Sequence, residues 1–151
     1  MLYLFIGSDN VGYPLKKIIT DYLTDKGIKF DDIGVYSEND ETIYPEIALK
    51  GCLGIRKSKY QYGILICGTG IGMSITANKI PGIMAALCEN IYSAERAKRS
   101  NNANVLTLGR YTVGPELAKK LVDVWLKSEF QGKGSTKKIE KIREYEKLFL
   151  K

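Results

Sequence analysis

The chain has 151 residues, 44% hydrophobic and 26% charged, which fits one domain over residues 1–151 with a core that needs no disulfide or metal staple. Three widely spaced cysteines and no histidine argue against a catalytic zinc site and any Ser-His or Cys-His pair, and remove the usual neutral-pH proton carrier. The formal net charge is +6, and residues 127–151 carry eight Lys/Arg against four Glu; this reads as a solvated helix face or a site for a small anion, with nucleic acid ranked lower because no nucleic-acid motif accompanies it.

Residues 2–6 form an apolar run that reads as a buried strand, ended by the turn cluster Gly7-Ser8-Asp9-Asn10. Leu15, Ile18, Ile19, Tyr22 and Leu23 follow at helical spacing, and Gly27 closes that helix as its C-terminal cap. A second strand is read at 28–33. Tyr44-Pro45 opens a second helix, with proline at an early position where its missing N–H costs nothing. The third strand is 62–66, followed by Gly68 to Gly72 and a helix around 73–79. The fourth strand is 83–88, a helix covers 92–100, and the fifth strand is 105–108. A long helix is read over 115–130, with Leu117, Leu121, Val124 and Trp125 on one face. A basic loop leads to a last amphipathic helix carrying Ile139, Ile142, Tyr145 and Phe149, which extends past the sheet towards a second subunit.

Strand and helix alternate five times. That order predicts a three-layer α/β sandwich, Rossmann-like, with a five-stranded parallel sheet and right-handed crossovers. Ligands in such sheets bind beyond the carboxyl ends of the strands. No run approaches the roughly 18–20 apolar residues of a membrane helix. Residues 1–7 are too short and lack the basic flank of a signal peptide. The expectation is a cytoplasmic protein with no membrane contact.

The turn Cys67-Gly68-Thr69-Gly70-Ile71-Gly72 holds the candidate chemistry. Its glycines allow close backbone approach, and the following helix start favours an anion. It is neither a Walker A loop nor a dinucleotide fingerprint, because no Gly-Lys-Ser/Thr follows and no acidic residue ends the next strand. A ligand-free glycine turn is the plain alternative. Cys67 is either a small core residue or a thiolate stabilised by the helix start and able to take a proton beside a carbonyl. Cys52 reads as helix packing, and Cys88 has nothing nearby to activate it. Asp9 either caps the next helix or orients a substrate hydroxyl. The polar segment Ser100-Asn101-Asn102-Ala103-Asn104 is either ordinary loop chemistry or the source of an amide for an enediolate oxygen.

The stretch Ile64-Leu65-Ile66-Cys67-Gly68-Thr69-Gly70-Ile71-Gly72-Met73-Ser74-Ile75-Thr76-Ala77-Asn78-Lys79 closely resembles the signature of the ribose-5-phosphate isomerase B and galactose-6-phosphate isomerase family. Gly7-Ser8-Asp9, Gly12, Tyr44-Pro45, Tyr92-Ser93-Ala94, Asn101 and Asn104-Val105-Leu106 resemble its other landmarks in order. The resemblance implies a Rossmann-like isomerase of a small phosphorylated sugar. It also implies a homodimer or dimer of dimers with active sites between subunits, and no metal or organic cofactor. By that resemblance Cys67 is the enediolate base and Thr69 the hydroxyl that assists proton movement. Gly68, Gly70, Ile71 and Gly72 form the anion-holding turn. Asp9 and Tyr44 handle substrate hydroxyls or the ring, and Asn101 helps hold the enediolate.

The chain also departs from the family pattern. Asn10 stands where the family has a histidine after the aspartate. Ser100 stands at the histidine credited with ring opening. The family's arginine after the fifth strand falls on Tyr111, with Arg110 adjacent. Its late pair of arginines falls on Lys133 and Lys137 with a one-residue gap, or on Gly134 and Lys138 without it. Lysine holds phosphate as a point charge and not bidentately. The proton-transfer half of the site is therefore retained and the ring-opening half is not. The leading expectation is ribose 5-phosphate/ribulose 5-phosphate isomerisation. The alternatives are a tetrose or galactose 6-phosphate type of substrate, or a non-catalytic sugar-phosphate-binding partner subunit.

Overall fold

The computed structural model describes residues 3–150. The elements in chain order are β1 (Leu4–Ser8), α1 (Tyr13–Asp25), β2 (Phe30–Asp32), α2 (Tyr44–Arg56), β3 (Tyr62–Cys67) and α3 (Ile71–Asn78). They continue with β4 (Ala85–Leu87), α4 (Ile91–Arg99), β5 (Val105–Gly109), α5 (Pro115–Lys127) and α6 (Gly134–Phe149). All five strands are parallel, in the order β2-β1-β3-β5-β4.

Alternation along the strands builds the two faces, because successive side chains point to opposite sides of a sheet. Leu4, Ile6, Ile64, Ile66, Leu106 and Leu108 pack with Leu15 and Ile19 of α1, Ala94 and Ala97 of α4, and Leu121 and Trp125 of α5. Phe5, Leu65, Cys67 and Val105 pack on the other face with Ile47, Ala48 and Cys52 of α2 and Met73 and Ala77 of α3. Each such buried aliphatic or aromatic side chain contributes about 1.5–3 kcal/mol relative to exposure. Helices on both faces give the three-layer architecture read from the sequence.

Local signals explain most of the helix ends. Prolines stand in the first turns of α1, α2 and α5. Gly27 takes φ +68° just past the end of α1. There the Gly27 amide donates to Thr24 O and the Ile28 amide to Leu23 O, satisfying carbonyls that the helix leaves free.

Several bounds differ from the sequence reading. Leu2, read as the start of the first strand, lies outside the described residues; β1 continues to Ser8. β2 starts at Phe30 instead of residue 28, because Ile28 is used in closing α1. β4 is shorter than 83–88: it is an edge strand paired only with β5, and the Ile83 amide turns back to Ile80 O. Ile71 and Gly72 belong to α3 and not to the loop ahead of it. α5 ends at Lys127, not at residue 130, where Ser128 leaves the helix in an extended conformation with its hydroxyl on Val124 O. On α6 only Ile139 is buried, while Ile142, Tyr145, Leu148 and Phe149 are exposed. Among the described residues no helix is long and apolar enough to cross a membrane.

Candidate active site

Parallel register brings the carboxyl ends of the three central strands level. Ser8 is opposite Ile66, and Cys67 is opposite Gly109. The residues that leave these strands therefore meet at one edge of the sheet. Gly12 folds onto the end of β3 so closely that a Cβ there would lie 2.4 Å from Ile66 O. Its amide donates to Asp9 Oδ1 at 2.8 Å, which fixes the buried Asp9 carboxylate beside the strand that carries Cys67.

The turn after β3 is shaped by Gly70, which takes φ +75° as the residue before α3. A Cβ at this position would stand 2.7 Å from Leu87 Cδ1 and 2.9 Å from the Leu108 carbonyl carbon. Curled in this way, the Gly70 amide donates to Cys67 Sγ at 3.2 Å. The Ile71 amide donates to Thr69 Oγ1 at 3.3 Å, leaving the exposed Thr69 hydroxyl proton free to donate outward. An N–H donor and a helix start thus stand beside the sulfur. The other cysteines differ. Burial pushes the Cys52 thiol up to about 12 and the Cys88 thiol to about 11.

Four more predicted residues reach this edge. The Tyr44 ring packs against the first turn of α3, where a Cβ on Gly72 would fall 2.4 Å from Tyr44 Cζ. The Arg110 and Tyr111 amides donate to Cys67 O and Gly68 O, each at 2.9 Å. Tyr111 is exposed and lies over Gly68, while Arg110 Nη1 donates to Val11 O at 3.2 Å and pairs loosely with Glu38. Asn10 Oδ1 accepts from the Val11 amide and helps set the same loop. A buried ion pair supports it from behind: Lys16 Nζ reaches Asp32 and the Val35 carbonyl. The Val35 amide in turn donates to Ser8 O, and the Ser8 amide to Gly34 O. Burial lowers the Lys16 pKa, and Asp32 opposes that shift.

The remaining predicted residues sit elsewhere. α4 starts after β4 and runs back along the sheet, so Ser100 and Asn101 precede β5, whose first residue is opposite Gly63. Four residue steps separate Gly63 from Cys67, roughly 13 Å of strand. Ser100 Oγ accepts from Arg96 Nε at 2.8 Å and also from Arg96 Nη2. The Gln131 amide donates to Arg99 O at 3.0 Å, which brings the basic turn to this end. Lys133 precedes α6, Lys137 and Lys138 lie in its early turns, and all three are exposed. Asn101 lines a cavity of about 270 Å³ with Met84, Ala97 and Ile142. One chain thus gathers Asp9, Asn10, Tyr44, residues 67–72, Arg110 and Tyr111 at one end of the sheet, and Ser100, Asn101 and the lysines at the other. Among the described residues no group of three or more His, Cys, Asp or Glu could hold a metal ion.

The sequence pattern of the ribose/galactose isomerase family matches residues 4–142. The chain belongs to this family. It is 49% identical to the D-erythrulose-4-phosphate isomerase of Pectobacterium atrosepticum over 97% of this chain and 96% of that protein. It is also 49% identical to the ribose-5-P isomerase B of Listeria innocua, over 92% and 93%. The solved ribose-5-phosphate isomerase B of Clostridium thermocellum superposes with a TM-score of 0.95 at 43% identity, covering 98% of this chain and 99% of that one. The protein is a sugar-phosphate isomerase of the aldose–ketose type.

Within this ribose/galactose isomerase, sequence reasoning passed over Lys16, Arg96 and Gln131. Lys16 adjoins the apolar stripe of α1 in sequence, and only the fold brings it to its ion pair with Asp32. Arg96 lies four residues before Ser100 on the predicted helix, a spacing at which side chains meet. That signal was available. Its second partner, Gln131, becomes a neighbour only through the fold, with Arg96 Nη2 donating to Gln131 Oε1 at 2.7 Å.

Proposed function

We propose that this isomerase interconverts ribose 5-phosphate and ribulose 5-phosphate through an enediolate, with Cys67 as the base. The observation that carries the reading is Cys67 Sγ at the end of β3, facing the Gly70 amide at 3.2 Å. The thiolate takes the proton from carbon 2 of the open-chain aldose. The C–H electron pair forms the carbon 1–carbon 2 double bond, and the carbonyl π pair moves onto oxygen 1. The Thr69 hydroxyl donates to oxygen 1 and recovers a proton from the oxygen on carbon 2. Cys67 then returns its proton to carbon 1, which leaves the ketose. Amides at the start of α3 and the Asn101 amide stabilise the enediolate charge. Asp9 and Tyr44 orient hydroxyls.

The same reading includes a homodimer or dimer of dimers, in which Ser100, Asn101, Lys133, Lys137 and Lys138 of one copy face Cys67 of another. It is supported by the separation of the two groups to opposite ends of the sheet. It is also supported by the apolar side chains that α6 leaves exposed, Ile142, Tyr145, Leu148 and Phe149. The reading assigns the enzyme to the cytoplasm, where the free thiols Cys52, Cys67 and Cys88 stay reduced.

A second reading, a tetrose 4-phosphate as substrate, is favoured by Ser100, whose hydroxyl is a poor acid near neutral pH. The test is an isomerase assay with ribose 5-phosphate, erythrose 4-phosphate, erythrulose 4-phosphate and galactose 6-phosphate. Turnover of none of them would leave a non-catalytic partner subunit. Mixing inactive Cys67→Ala with inactive Lys133→Ala/Lys137→Ala/Lys138→Ala tests the shared site. Random re-pairing of dimers should restore about a quarter of wild-type activity, because each mixed dimer has one intact site. No recovery would rule out sites built from two chains.

A further inference from the structure

We propose that Arg96 is a phosphate-binding residue of this enzyme, its guanidinium clamped between Ser100 and Gln131 so that Nη1 is left for the substrate's phosphate. The inference rests on the reading that this end of the chain faces Cys67 of a second copy.

Arg96 is half-buried in the last turn of α4. Its Nε and Nη2 donate to Ser100 Oγ, and Nη2 also donates to Gln131 Oε1 at 2.7 Å. Both acceptors are neutral. Among the described residues no carboxylate lies within ion-pair distance of Arg96, whereas its neighbour Arg99 is paired with Glu95 at 3.5 Å. The charge of Arg96 is therefore uncompensated, and among the described residues Nη1 has no protein acceptor. A guanidinium used to tie down a helix end commonly spends its donors on the terminal carbonyls. Here they go to side chains that fix the plane of the fork.

That arrangement suits a phosphate monoester. The two N–H groups of Nη1, held in place in advance, give charge-assisted hydrogen bonds to phosphate oxygens. Ser100 Oγ accepts from Arg96, which turns its own O–H outward as a further donor. Gln131 stands two residues before Lys133, so the same contact brings the basic turn alongside. Lysines supply charge on flexible stems, and Arg96 supplies a donor fixed in place by Ser100 and Gln131. A role as a mere clamp between α4 and the following segment would explain the three hydrogen bonds but not the absence of a carboxylate.

The experiment titrates inorganic phosphate into wild type, Arg96→Leu and Arg96→Lys by calorimetry, alongside steady-state kinetics with ribose 5-phosphate and erythrose 4-phosphate. Arg96→Leu should weaken phosphate binding roughly ten- to hundredfold and raise KM by a similar factor, with kcat changed by less than about threefold. Arg96→Lys, which keeps the charge without the fork, should fall between. Two results overturn the proposal: no phosphate binding by wild type, or wild-type phosphate affinity in Arg96→Leu. Should Arg96→Leu fail to fold, Arg96→Lys decides, and wild-type affinity there overturns it equally. Loss of kcat and thermal stability with phosphate affinity intact would make Arg96 a clamp. If wild type turns over no sugar phosphate, the substrate reading falls, yet the phosphate titration still judges Arg96.

Discussion

The Gly70 amide points at the sulfur of Cys67 from 3.2 Å, and backbone geometry alone holds the two in that relation. Gly70 is in the left-handed region, where a Cβ would run into Leu108 and Leu87. The turn thus aims an N–H at the sulfur in a chain that has no histidine.

If Cys67 is the base, Cys67→Ala and Cys67→Ser should each reduce kcat by at least roughly 10²-fold, the usual scale for a positioned acid or base. Unfolding midpoints should move little. Cys88→Ala should leave kcat unchanged, because burial holds that thiol protonated with its pKa at about 11. Near-normal turnover in either Cys67 variant would refute the mechanism.

Gly70→Ala separates the turn from the nucleophile. An L side chain in the left-handed region costs about 1–2 kcal/mol, and here the Cβ also meets Leu87 and the Leu108 backbone. Denaturant unfolding should show a loss of at least about 2 kcal/mol. Turnover should fall by at least roughly tenfold as the amide swings away from the sulfur. Wild-type turnover in Gly70→Ala would mean that the Gly70 amide plays no part in the reaction.

Legibility in the sequence followed burial. β3 and its glycine turn were plain because a continuous apolar run ends at once in Cys67-Gly68. The edge strands β2 and β4 were overestimated, since Ile28 and Ile83 look like strand residues but are used in turns. The fold brings to the turn at Cys67 residues that lie far apart in the sequence: Asp9 through Gly12, Tyr44 through Gly72, and Arg110 and Tyr111 through the carbonyls of residues 67 and 68. Arg96 was missed because half of its environment, Gln131, arrives from beyond α5. The local pattern holds no trace of that contact.

Lys98 is a buried cation whose cost can be measured. Its Nζ lies 3.5 Å from the Tyr62 ring centroid and 4.4 Å from that of Trp125. Burial lowers its pKa to about 8, with Glu129 opposing the shift. Between pH 8 and its ordinary value of 10.5 the unfolded chain binds more protons at this site than the folded one. Stability from this group therefore rises with pH across that window, and the full penalty applies below it. Lys98→Met should be more stable than wild type at pH 7, by an amount on the order of 3 kcal/mol, and the difference should shrink towards pH 10. Tyr62, whose own pKa burial raises, stays neutral through most of this range. A variant less stable than wild type by the same amount at every pH would show that the two aromatic faces hold the charge without cost.

The substrate itself can be read from the chemistry around Ser100. Ribose 5-phosphate exists mostly as a closed furanose, so an isomerase acting on it gains from a group that protonates the ring oxygen. Ser100 is a weak acid, and its oxygen already accepts from Arg96. A tetrose 4-phosphate cannot close a furanose, because its terminal oxygen carries the phosphate, and it needs no such acid. On the second reading, the expected outcome is a kcat/KM for erythrose 4-phosphate or erythrulose 4-phosphate that equals or exceeds that for ribose 5-phosphate on the same preparation. A ribose preference of about 10²-fold or more, close to 3 kcal/mol in transition-state binding, would end the open-chain idea and leave Asp9 or Tyr44, through water, to open the ring. Ser100→His gives the second arm. It should be neutral for the tetrose and help, if anything, with ribose 5-phosphate. The adjacent Arg96 cation would lower the pKa of the introduced imidazole below its ordinary value of about 6.5. The gain with ribose 5-phosphate should therefore be found on the acid side of neutrality and fade as the pH rises to 8. A gain of equal size at all pH values would mean that the histidine acts by contact and not as an acid.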